Sequence, residues 1–141
     1  MTLSNYRKEI ANKIPDSIPD EYLDSYFNSF FNSYSEIEHL ISYSDEILDV
    51  GCGAGFLVNY LSSQGYKIQG FDNYLYNPQT RAINRAINSK EEVKNCNIAD
   101  FQTEIKFDVI FLHNVIEHLD NWQESIEKIN NMLNTKGKII F

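Results

Sequence analysis

Long apolar runs, cysteine, proline and glycine are all scarce in this chain, and each scarcity removes a class of protein. No run of about 18 apolar residues occurs, so no membrane-spanning helix is expected. The opening stretch MTLSNYRKEIANK lacks the apolar core of a secretory signal, and a cytoplasmic protein is the expectation. With 6 glycines and 3 prolines the chain is neither collagenous nor a Gly/Pro-rich disordered polymer. Its 2 cysteines, Cys52 and Cys96, stand far apart without CxxC or Cys/His clustering. Neither a disulfide framework nor a zinc site is suggested, and reduced thiols fit a cytosolic setting. Positive charge is missing from a whole segment: between Lys13 and Lys67 there is no Lys or Arg, while 9 acidic residues fall there, from Asp16 to Asp49. With a net charge of -8, that segment repels polyanions, which argues against nucleic acid and anionic membranes as partners.

What is present suits one packed domain. At 141 residues a chain can bury roughly 68–70% of the surface it exposes when unfolded, and 43% hydrophobic residues supply the material for that core. Residues 1–46 read as a helical preface. Within it Tyr22, Leu23, Tyr26, Phe27, Phe30, Phe31 and Tyr34 recur at three- and four-residue spacings and line one helix face. We read that stripe as core, with a lid or wall over a ligand pocket as the alternative. Pro19-Asp20-Glu21 suits the first turn of that helix.

From residue 47 to residue 141 the pattern changes to short aliphatic runs alternating with helical stretches, the signature of parallel βαβ units. Strands are expected near Ile47–Val50, Lys67–Phe71, Val93–Ile98, Phe107–Leu112 and Lys138–Phe141, and helices near Phe56–Gln64, Pro78–Ser89 and Trp122–Asn134. Asn77-Pro78 is a sensible cap and first-turn pair. The RAINRAIN duplication keeps Ala82, Ile83, Ala86 and Ile87 on one side of its helix, and we read it as helix patterning rather than an architectural repeat.

The densest local signal is ILDVGCGAGFLVNYL, where an apolar strand runs into Gly51, Gly53 and Gly55 and then a helix. Alternate glycines permit a tight turn and let a ligand lie on bare backbone. The following helix directs free N–H groups and the positive end of its dipole at whatever occupies the turn. The spacing is not the GxGxxG of dinucleotide folds, since Phe56 stands where close approach of a pyrophosphate needs space, and no GK[ST] follows for a Walker loop. A second strand ends at Asp72 in KIQGFDNY, where an acid at a strand tip can accept both hydroxyls of a ribose.

Together these residues resemble the class I S-adenosylmethionine-dependent methyltransferases. DVGCGAG is similar to that family's first motif, Asp72 to its ribose-binding acid, NIADF at residues 97–101 to its adenine motif, and FDVIFLHNVIEHLDNW to its FDxVxxxxVLEHL segment. KGKIIF looks like the fifth strand, although the usual LKPGG entry reads LNTKG here. The resemblance implies an α/β, Rossmann-like open sheet, mainly parallel, in the order 3-2-1-4-5, with flanking helices and the helical preface in front. It further implies that Asp49, Gly51, Cys52, Gly53 and Gly55 hold the methionine end of S-adenosylmethionine. Asp72 and its neighbour Asn73 would take the ribose, Asp100 the adenine amino group and Phe101 a face of the ring, while Asn114 would approach the methionine end or the substrate.

Methyl transfer asks chiefly for alignment of nucleophile, methyl and sulfur. A hydroxyl acceptor gains from a base near pH 7, for which His118 is the candidate, weighed against a structural histidine. The ExxEH arrangement of metal-assisted relatives is incomplete, since Asn114 occupies its first position and leaves Glu117 and His118, so no metal is expected. The expected reaction is methyl transfer to a small-molecule acceptor, oxygen ahead of nitrogen or carbon. The alternative is a catalytically incomplete cofactor-binding or assembly module, because relatives continue past the fifth strand. A sheet ending there would be C-terminally incomplete and open to a second copy or a partner chain at its fifth-strand edge.

Overall fold

A computed structural model of the chain describes residues 1–73 and 77–141. Five strands, β1 (Glu46–Val50), β2 (Lys67–Asp72), β3 (Val93–Asn95), β4 (Phe107–Phe111) and β5 (Leu133–Ile140), form one sheet in the order β3-β2-β1-β4-β5. All four pairings are parallel. The α/β, Rossmann-like architecture and its 3-2-1-4-5 order thus match the expectation. Helices α1 (Leu3–Ala11), α2 (Asp20–Ile37), α3 (Phe56–Ser63), α4 (Pro78–Ile87) and α5 (Trp122–Asn131) flank it. No helix among the described residues is long and apolar enough to cross a membrane.

The period-two alternation of side chains divides the central strands between two cores. Ile47, Val109 and Phe111 pack with α1, α2, α3 and α4, whereas Leu48, Val50, Ile110 and Leu112 pack with Ile129 and Met132 at the end of α5. The α2 stripe is part of the first core. Phe27 stacks on Phe56 with ring centroids 4.8 Å apart, and Tyr6 of α1 meets Tyr60 edge-on at 4.9 Å. Burying one such aromatic stabilises the fold by about 1.5–3 kcal/mol. Tyr6 is nearly fully buried, yet its hydroxyl is satisfied by donating to Asn59 Oδ1 at 2.8 Å. Asn77 caps α4 by accepting the Thr80 N–H at 3.1 Å, as the Asn-Pro pair predicts.

Three boundaries differ from the sequence expectation by three residues or more. β3 stops at Asn95 and not at Ile98, because a turn intervenes in which the N–H groups of Asp100 and Phe101 both donate to the Asn97 carbonyl at 3.1 Å. α5 ends at Asn131 rather than Asn134, and β5 begins at Leu133 well before Lys138. Its register jumps from Phe107 opposite Leu133 to Val109 opposite Lys138, so extra residues are looped into the strand. Asn134 anchors that irregularity by donating to Asp108 Oδ1 at 2.8 Å. Gly137 is required there, since a Cβ would stand 2.9 Å from the Phe107 carbonyl oxygen.

Candidate functional site

The strand order reverses between β1 and β4, and a crevice opens there beyond the strands' carboxyl ends. The glycine loop forms its floor. Gly51, Gly53 and Gly55 have φ of 70°, 57° and 80°, a left-handed region in which a side chain is strained. The loop is held on several sides. The N–H groups of Gly51 and Cys52 donate to the Phe71 carbonyl at 2.9 and 3.1 Å, and Gly53 donates to Asp72 Oδ2 at 2.8 Å. From α4, Asn84 Nδ2 and Asn88 Nδ2 each donate to the Ala54 carbonyl at 3.2 Å. Space differs at each glycine. A Cβ on Gly51 would lie 2.5 Å from Val115, and one on Gly55 would lie 2.5 Å from Asn88 Nδ2, whereas one on Gly53 would meet nothing within 4 Å.

Two hollows meet along a seam made by Gly51 and Asn114. The larger, about 500 Å³, is lined by Asp72, Asn73, Cys96, Asn97, Ile98, Val115 and His118. Here the Asp72 carboxylate keeps the oxygen not bonded to Gly53 without a protein donor among the described residues, and Asn73 Nδ2 is donated to Asn97 Oδ1 at 2.7 Å. The smaller, about 270 Å³, is lined by Asp49, Cys52, Gly53 and Gly55 on one side and by Tyr26, Ser29, Phe30, Ser33 and Glu36 of α2 on the other, with His113 beside Asn114. Asn114 holds φ of 53°, the one described non-glycine residue with positive φ, a conformation asparagine tolerates better than most residues.

Electrostatics set the two aspartates up for cationic or hydroxyl partners. Burial, with a smaller contribution from the nearby Asp72 charge, pushes the Asp49 carboxyl up to about 7. No protein donor bonds Asp49 among the described residues, so its charge waits for a positive neighbour. Burial also raises Asp72, against the Gly53 N–H, which favours its ionised form. Burial raises the Tyr26 phenol, whose hydroxyl bonds Thr80 on α4.

Of the residues singled out in the sequence, the fold brings Asp49, Gly51, Cys52, Gly53, Gly55, Asp72, Asn73 and Asn114 to these hollows. Two others are elsewhere. Phe101 is 1% exposed and stacks on Phe71 at 4.3 Å in the core, so its ring lines neither hollow. Asp100 is exposed in the Asn97–Phe101 turn and lines neither hollow, and it is Asn97 and Ile98 that reach the crevice. The reason is the early end of β3, which turns the chain before Asp100. His118, in a short 3-10 turn at Ile116–His118, is exposed on the Asp72 side of the seam, while His113 lies on the aromatic side. Sequence reasoning missed His113 and the polar edge of α2. Period-3.6 spacing identified the α2 stripe, but only packing determines that its margin faces the glycine loop. Among the described residues no group of three or more His, Cys, Asp or Glu side chains is placed to hold a metal.

A family described as a methyltransferase domain matches residues 20–141, which includes α2. The chain is 31% identical over 105 residues to a ubiquinone biosynthesis O-methyltransferase of Rickettsia bellii, and 31% identical over 108 residues to that of Rickettsia felis. The matched regions are 74% and 76% of this chain, and the chain spans about two-fifths (42%) of the length of those curated relatives. Among solved structures, it resembles a plantazolicin methyltransferase bound to a desmethyl analogue and SAH (TM-score 0.60, 23% identity, 97% of this chain and 57% of the other). It also resembles coclaurine N-methyltransferase bound to N-methylheliamine and SAH (TM-score 0.61, 23% identity, 89% and 37%).

Proposed function

We propose that this chain, which belongs to the class I S-adenosylmethionine-dependent methyltransferase family, transfers a methyl group to a hydroxyl of a small, ring-bearing acceptor. The observation that carries the reading is the seam: a glycine loop tied to Asp72, with one polar and one aromatic hollow meeting over Gly51 and Asn114. The residues present fit the family's cofactor, S-adenosylmethionine. Bare backbone at Gly53 with open space above it, a carboxylate oxygen of Asp72 free for hydroxyls, and a buried, unpartnered Asp49 suit a nucleoside that carries positive charge. When bound, that cofactor supplies a methyl group already activated by its sulfonium.

The chain's own residues then have three tasks. Asp72 and Asn73 would hold the ribose in the larger hollow. Asp49 would balance positive charge at the methionine end, and the free N–H groups at the start of α3 would receive a carboxylate. Tyr26 and Phe30 would align an acceptor ring with its hydroxyl toward the seam, which accounts for most of the catalysis in a reaction governed by alignment. The names of the Rickettsia relatives support oxygen as the acceptor atom. His113, on the aromatic side, is better sited than His118 to accept the hydroxyl proton.

Calorimetry with SAH, followed by mass spectrometry of a panel of phenols and catechols incubated with S-adenosylmethionine, tests the proposal. Micromolar SAH binding and a methyl gain of a phenol are expected. Binding without any methylated product would favour the non-catalytic module, and absence of SAH binding by the folded chain would remove both readings.

A further inference from the structure

The RAINRAIN segment of α4 builds a second pocket, away from the crevice. The four-residue period sets Arg81 above Arg85 on one stripe and Asn84 above Asn88 on the next, while Ile83 and Ile87 are buried. All four polar side chains line a cavity of about 430 Å³ between α4 and the β3 edge, joined by Ser89, Lys90 and Lys94. Four cations, Arg81, Arg85, Lys90 and Lys94, therefore line one concavity of a chain whose net charge is -8. None of the four is in an ion pair among the described residues, whose salt bridges use Arg7, Lys13 and Lys67 instead.

A second observation marks the same wall as incomplete. Asn84 is 4% exposed, and both asparagines spend their amide N–H groups on the Ala54 carbonyl. That leaves Asn88 Oδ1 buried with no hydrogen-bond partner. Buried polar atoms are nearly always satisfied, so this wall of the cavity is one hydrogen bond short.

We propose that the pocket between α4 and β3 binds a small phosphate-bearing ligand, with Arg81, Arg85, Lys90 and Lys94 on the oxyanion. Guanidinium groups suit the planar, paired recognition of phosphate oxygens. A long polyanion is disfavoured because the acidic preface and the remaining surface repel it, whereas a single phosphate feels mainly the four nearby cations.

The test is an amide-resolved NMR titration of the full chain with inorganic phosphate, with ribose 5-phosphate and with a short RNA. Saturable shifts at residues 81–95 are expected for both phosphates, with dissociation constants below about 1 mM. The Arg81→Gln/Arg85→Gln variant should lose at least about tenfold in affinity, Arg81→Lys/Arg85→Lys less, and SAH binding should stay within about threefold in both. If the double variant fails to fold, Lys90→Gln, on an exposed side chain, should still weaken phosphate measurably. No saturable shift, shifts insensitive to these substitutions, or RNA binding tighter than either phosphate would each overturn the proposal. Because SAH is read separately, the crevice and this pocket can fail independently.

Discussion

The two hollows that meet over Gly51 and Asn114 are built by different means. The Asp72 side is made where β2 and β3 end and the chain turns, so its lining follows from motifs at strand tips. The Asp49 side is closed by α2, which is far from the glycine loop in sequence and reaches it only because Phe27 and Phe30 pack on Phe56. Local turn chemistry specifies the first, and long-range burial specifies the second. The aromatic wall is accordingly load shared between stability and shape: Phe30 is 5% exposed and still lines the hollow.

The largest effect is expected from breaking that wall. Phe30→Ala should lower the unfolding free energy by about 3–5 kcal/mol, measured by urea denaturation, as aromatic truncations in cores do. An unchanged midpoint would mean that α2 does not depend on this contact. Next comes the loop itself. Gly55→Ala places a Cβ 2.5 Å from Asn88 Nδ2 at φ of 80°, and a loss of about 1–3 kcal/mol is expected in the same assay. Wild-type stability would show that α4 gives way freely.

Asp72→Ala should sharpen the comparison by weakening SAH at least tenfold, about 1.4 kcal/mol, by calorimetry, through loss of both the ribose acceptor and the Gly53 tether. Ser29→Trp, which crowds the opposite hollow from the exposed α2 side, should block methylation of a phenol while weakening SAH binding less than Asp72→Ala does. Equal loss of binding in both variants would merge the two hollows into one site.

The smallest effect is a proton. Asp49 binds its proton more tightly folded, at about 7, than unfolded, near 3.8, so the fold gains stability from it at low pH and loses that gain as pH rises from about 4 through about 7. A bound cation reverses the preference. At pH 6, titrating the cationic analogue sinefungin in buffers of different ionisation enthalpy should reveal release of a substantial fraction of one proton, and Asp49→Asn should abolish it.

How much of this was legible before folding divides along the same line. The βαβ alternation, the Gly51–Gly55 turn, the strand-tip place of Asp72 and the Asn77 cap were readable, because each depends on residues within a few positions of one another, whereas the sheet order came with the family resemblance. Asp100 and Phe101 lie outside both hollows and β3 is shorter than expected, since a three-residue strand followed by a turn and a six-residue strand look alike in a short apolar run. RAINRAIN was read correctly as a helix, but its polar stripes acquire meaning only against Ala54 and the β3 edge.

By itself the sequence determined a parallel α/β sheet and a glycine turn beside an acid at a strand tip, because backbone sterics and side-chain periodicity act locally. Only the tertiary structure decided which histidine shares a hollow with α2, that Phe101 belongs to the core, and that Arg81, Arg85, Lys90 and Lys94 line one cavity. Those outcomes depend on which distant surfaces bury one another, and burial is a property of the whole chain.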